Sequence, residues 1–190
     1  MLILAIDTAL EACSAALYDA DAEAAVAVRS LPMARGHAEA LVPMIGALMQ
    51  QADRRFSDIG TFAVTVGPGS FTGLRVGLSA ARGFGLACGR PVVGLSTLAV
   101  LAAPLLAQDD AVPVVAALDA RHGNLYLQMF GAGGRSLVGA RAATVQEAAR
   151  AVAIGPVRLV GSGAPLLAAH WPAGQAPPLE VGEAIAPDPV

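Results

Sequence analysis

The chain has 190 residues, 55% of apolar types and only 14% charged, with 12 basic residues against 15 acids and a formal net charge of −3. The apolar share is ample for a core and excludes a disordered chain; length predicts one domain or two small ones. The slightly acidic balance speaks against a broad basic surface that grips nucleic acid unaided. Every basic residue is Arg, which excludes a lysine Schiff base and a phosphate-loop lysine. Cys13 and Cys88 are too few for a disulfide framework or a cysteine-rich metal site and read as small core residues in a reducing compartment. No apolar run reaches the roughly 20 residues of a membrane span. The start, Met1-Leu2-Ile3-Leu4-Ala5-Ile6-Asp7, has no basic leader and carries an acid within its apolar stretch, so no signal peptide and a cytoplasmic location are expected.

Leu2 to Ile6 reads as a short buried strand that stops at Asp7-Thr8-Ala9. Residues 13–18 and 25–31 follow across two polar turns as partner strands. Residues 37–49 then take helical period, with Leu41, Met44 or Ile45, and Leu48 on one face. Residues 59–66 form the next strand, and Gly67-Pro68-Gly69-Ser70 is a tight turn into a helix from Phe71 to Cys88. A strand over 91–95 and a helix over 97–107, capped by Ser96-Thr97, complete the first half. Polar Gln108-Asp109-Asp110 marks the expected boundary, with lobes over 1–108 and 109–190. Strands at 112–118 and 125–130, a helix over 144–152 and a strand at 157–160 follow; beyond Trp171 the chain is rich in Pro and Gly. Ile6-Asp7-Thr8-Ala9 and Leu118-Asp119-Ala120-Arg121 each close an opening strand with an acid before a hairpin. The next strands carry Leu17-Tyr18 and Leu125-Tyr126, so the halves read as a duplicated α/β unit.

Four residues are candidates for holding a nucleotide or its metal: Asp7 and Asp119 at the ends of opening strands, and Gly67 and Gly69 in the turn before a helix whose first amides suit an anion. The bland reading of the same residues is a self-capped turn. His37, His122 and His170 are scattered, and no HxxxH or HExxH spacing or G-x-S-x-G elbow exists. The 71–88 helix is unusual. Gly73, Gly77, Ala80, Ala81 and Gly85 punctuate an otherwise apolar rod, and each interior Gly costs roughly 0.5–1 kcal/mol relative to Ala. Such a helix is either central to its own fold or shaped for close approach by a partner.

The segments Ile3 to Ala9, Gly36 to Ile45, Val66 to Gly77 and Gly94 to Leu98 resemble the TsaB (YeaZ) family, in order over roughly residues 1–130. The resemblance implies an actin-like, Hsp70-like α/β fold of two lobes built on ribonuclease-H-like mixed sheets. It implies a subunit of the machinery that makes threonylcarbamoyladenosine in tRNA, related to the catalytic subunit TsaD. TsaD carries its metal on an HxxxH pattern; the matching positions here are Thr97 and Leu101, neither of which can replace an imidazole. The implied role is therefore a non-catalytic scaffold that binds and activates TsaD, is joined by the ATPase TsaE, meets tRNA only through the complex, and forms a homodimer when alone. No cofactor is expected beyond a possible nucleotide at the subunit junction.

The expected partner interface is His37, Leu41, Met44, Ile45 and Leu48 on the first helix with Gly73, Val76, Gly77, Ala80, Ala81 and Phe84 on the second. Gly77→Leu or Ala81→Glu should then separate the partners and leave the lobe folded. The alternatives are a nucleotide-dependent ATPase or kinase of the same fold using Asp7 and the glycine turn, and a metallopeptidase. In relatives a stretch such as Ala186-Pro187-Asp188-Pro189 is expected to continue, so a truncated second lobe is also expected.

Overall fold

In a computed structural model describing residues 1–182, β1 (Leu2–Asp7), β2 (Ala12–Asp19) and β3 (Ala24–Pro32) form an antiparallel meander. After α1 (His37–Gln51) and a single 3-10 turn at Phe56–Asp58, β4 (Ile59–Gly67) returns parallel to β1, with Ile6 beside both Ala15 and Val64. Then α2 (Phe71–Cys88) leads to β5 (Val92–Ser96), parallel to β4, which completes a sheet of order β3-β2-β1-β4-β5. The crossovers put α1 and α2 against the sheet because one stripe of each is apolar or small. Leu41, Ile45 and Leu48 meet Leu4, Ile6, Leu17, Phe62 and Val64 in one core.

The second sheet repeats the plan. β6 (Val114–Arg121), β7 (Asn124–Phe130) and β8 (Ser136–Thr144) form the meander, α4 (Val145–Val152) crosses to β9 (Arg158–Val160), and α5 (Ala164–Ala169) crosses to β10 (Glu180–Gly182). The order is β8-β7-β6-β9-β10, the same as in the first sheet, with β9 parallel to β6 and β10 parallel to β9. Thr144 and Glu147 start α4 with a reciprocal capping box, and Val115, Leu127, Val152 and Leu159 centre its core. The duplication expected from two short sequence echoes is thus a duplication of topology.

Contacts divide the chain into two units between Thr97 and Leu98. All but the first residue of α3 (Thr97–Gln108) therefore goes with the second unit, whereas the polar run at 108–110 had placed the helix in the first lobe. A charged turn marks an exposed connection, not which neighbour a helix packs on. Three elements escaped the sequence reading. β8 is an edge strand diluted by Gly139 and alanines, while α5 and β10 span six and three residues, too short to show a period. The expected continuation past Ala186 lies outside the described residues.

Candidate functional site

The end of β1 is turned into α2 by its own chain. Asp7 is buried; its Oδ1 accepts the Ala9 N–H at 3.1 Å and the Thr65 hydroxyl, and its Oδ2 has no partner among the described residues. Burial pushes the Asp7 carboxyl above its ordinary range, against the pull of Thr65 and Ala9. The Ser70 N–H, at the end of the glycine turn, donates to the Ala9 carbonyl at 2.7 Å. The Ser70 hydroxyl caps α2 by accepting the Gly73 N–H at 3.3 Å. A Cβ on Gly69 would overlap that same Ala9 carbonyl oxygen. Of the amides at the start of α2, that of Ser70 therefore holds the β1 turn and that of Gly73 is capped by Ser70. Gly67, at φ 111°, supplies the left-handed backbone that β4 needs to leave the sheet.

The second unit echoes this arrangement. Asp119 Oδ1 accepts the Arg121 N–H at 2.7 Å, as Asp7 does that of Ala9, and the Asp119 N–H donates to the Ser162 hydroxyl at 3.2 Å. A Cβ on Gly161 would overlap the Ala117 carbonyl oxygen, as one on Gly69 would overlap that of Ala9. Asp119 itself is exposed. The four candidate nucleotide residues are therefore all engaged in, or adjacent to, turn-holding contacts within their own units.

The helices correct the expected interface. Leu41, Met44, Ile45, Leu48 and Ala81 are core residues, and His37 is buried with its Nε2 3.2 Å from the Leu10 carbonyl. Phe84 stacks on Phe56 and Phe62, with ring centroids 5.2 and 5.9 Å away. The glycines face inward too. A Cβ at Gly73 would overlap the Thr8 carbonyl, and one at Gly77 would lie 2.5 Å from the Thr8 hydroxyl and 3.4 Å from Val64. The Thr8 hydroxyl donates to the Gly73 carbonyl at 2.7 Å. Gly73 and Gly77 thus admit Thr8 at the end of β1, and Gly85 admits Val92 of β5. Gly77→Leu and Ala81→Glu, expected to spare the fold, would strike the core of the first unit.

The outward face of the same helices is different. Between α1 and α2 runs a groove of about 520 Å³, lined by Ala38, Leu41, Val42, Phe71, Thr72, Arg75, Val76, Ser79 and Ala80. Of the expected interface residues, Leu41, Val76 and Ala80 reach it. Val42 is 55% exposed, Phe71 68% and, further along α2, Leu86 88%. The Arg75 guanidinium lies 3.9 Å above the Phe71 ring centroid. Sequence periodicity missed this face because it selects the inward stripe; the available signal was apolar Val42, Phe71 and Leu86 falling out of phase with the core.

Thr97 and Leu101, the positions where the resemblance placed metal-binding histidines in the catalytic relative, are buried. Among the described residues, no three His, Cys, Asp or Glu side chains gather in a metal-binding group, and no helix is long and apolar enough to cross a membrane.

Known proteins share this layout. The tRNA threonylcarbamoyladenosine biosynthesis protein TsaB of Escherichia coli is 39% identical over 126 residues, covering 66% of this chain and 53% of that protein. The solved structure of YeaZ from Pseudomonas aeruginosa superposes with a TM-score of 0.82 at 28% identity, covering 98% of this chain and 85% of that one. The family model of TsaD, tRNA N6-adenosine threonylcarbamoyltransferase, matches residues 31–167. The chain belongs to this family, in its TsaB (YeaZ) branch. A tRNA N6-adenosine threonylcarbamoyltransferase of Erythrobacter litoralis is 43% identical over 65 residues, 34% of this chain and 19% of that enzyme. The chain spans about half the length of the curated relatives it matches. The fold is the actin-like, Hsp70-like class expected from the sequence, with a ribonuclease-H-like mixed sheet in each unit.

Proposed function

We propose that the chain is a cytoplasmic, non-catalytic subunit that docks a TsaD-type threonylcarbamoyltransferase on the outward face of α1 and α2 and activates it. The observation that carries this reading is the apolar groove between those helices, with Val42 and Phe71 bare at its rim. Large apolar side chains in a contiguous exposed patch mark an interaction surface. Fully burying each contributes about 1.5–3 kcal/mol. One carboxylate oxygen of Asp7 and one of Asp119 is taken up in a turn, and Thr97 and Leu101 stand where imidazoles would be needed to hold a metal. The chemistry then belongs to the partner, which transfers threonylcarbamoyl to adenosine beside the tRNA anticodon. A TsaE-like ATPase joins the pair, tRNA is met through the complex, and in the partner's absence the same face pairs two copies of the chain.

Reconstitution with the threonylcarbamoyltransferase of the same genome tests the reading. The chain alone should form no threonylcarbamoyladenosine and should stimulate the enzyme when added. Val42→Glu should keep the wild-type melting temperature and lose that stimulation. Product formed by the chain alone, or full stimulation by Val42→Glu, would overturn the proposal.

A further inference from the structure

We infer that the docking face selects an acidic partner helix, with Arg75 and Arg82 as its specificity-determining residues; the inference rests on the docking proposed above. Although the chain is acidic overall, residues 59–108 contain Arg75, Arg82 and Arg90 and not one Asp or Glu. Phe71, Arg75, Ser79, Arg82 and Leu86 follow each other at steps of three and four along α2, and all are exposed. The two arginines are seven residues apart, so their guanidinium groups project from one stripe about 10 Å, or two turns, apart. Neither takes part in an ion pair among the described residues. Arg75 is held over Phe71, which limits how far its charge can swing from the groove. Across the groove α1 contributes one acid, Glu39 in its first turn, and no Lys or Arg.

The face is thus apolar with a surplus of positive charge, and its complement is a helix with apolar residues flanking two carboxylates one heptad apart. The catalytic paralogue is the occupant this charge pattern favours over a second copy, which would bring the same surplus and repel it. Rim charges of this kind act chiefly on encounter rate and on rejection of the wrong partner. Salt should therefore weaken the complex with the paralogue and strengthen self-association of the chain.

Association of the full chain with the purified threonylcarbamoyltransferase, measured by biolayer interferometry between about 50 and 500 mM salt, tests this. Arg75→Glu/Arg82→Glu should weaken binding at least tenfold, mostly through the association rate, and flatten its salt dependence. Arg75→Gln/Arg82→Gln should fall between, and thermal melts of both should match wild type because the side chains are exposed. If the reversed variant binds as wild type while Val42→Glu does not, docking stands and the charge inference falls. If neither variant changes binding, both fall. Loss of self-association alone by the reversed variant would overturn the preference for the paralogue.

Discussion

Asp7 shows how a residue typical of a ligand site becomes a structural one. One carboxylate oxygen is fixed by Thr65 and Ala9, the other has no partner among the described residues, and desolvation raises the pKa above the ordinary 3.8. The unfolded chain gives up this proton first, so from pH 3.8 upward the native state holds more protons and stability falls as pH rises toward the folded value. Asp19, Asp58 and Glu147 work in the opposite sense. Hydrogen bonds from backbone amides, and for Glu147 first from the Thr144 hydroxyl, lower their pKa values, so their contribution is lost as pH falls. The difference between wild type and Asp7→Asn isolates the Asp7 effect, since Asn keeps an acceptor toward Thr65 and Ala9 and has no charge to desolvate. The wild-type urea midpoint minus that of the variant should decline as pH rises from about 3.8 through the acidic range. Parallel curves would show that Asp7 ionises as freely in the folded chain as in the unfolded one.

The helix α2 has two faces with separate duties, and substitutions should sort accordingly. Gly73→Ala puts a methyl onto the Thr8 carbonyl, a backbone group that cannot swing aside. A loss of about 1–3 kcal/mol in urea denaturation is expected, the usual cost of overpacking. Phe71→Ala lies on the open face; it should change stability by about 1 kcal/mol or less and weaken the complex with the threonylcarbamoyltransferase at least tenfold. Equal stability losses for both variants would contradict the division of faces. This division also explains what could be read in advance. Hydrophobic period located α1 and put Leu41, Met44 or Ile45, and Leu48 on one face, and the glycine turn marked the start of α2, but a period reports the side that is buried in the chain's own core. Glycine at 73 and 77 signalled close approach without naming the neighbour, which proved to be Thr8 and the end of β1. The exposed face had a fainter signal, because Val42, Phe71 and Leu86 interrupt no pattern of their own.

At the scale of the whole molecule, one topology occurs twice and has been used differently each time. Both units share a strand order and a turn in which an acid accepts an amide two residues on. The second crossover helix is 18 residues long in the first unit and six in the second. Only the longer helix combines with its neighbour to frame the apolar groove described above. The duplication was legible in Asp7 and Asp119 with their following Leu-Tyr pairs. The unit boundary was not, because α3 joins the second unit through packing that no local run of residues announces. Hydrogen–deuterium exchange of the full chain, with and without the threonylcarbamoyltransferase, tests the docking claim most directly. Amides of residues 38–46 and 71–83 should exchange more slowly in the mixture, with those of β6 to β10 unchanged. Protection confined to the second unit, or none on α1 and α2, would contradict the account.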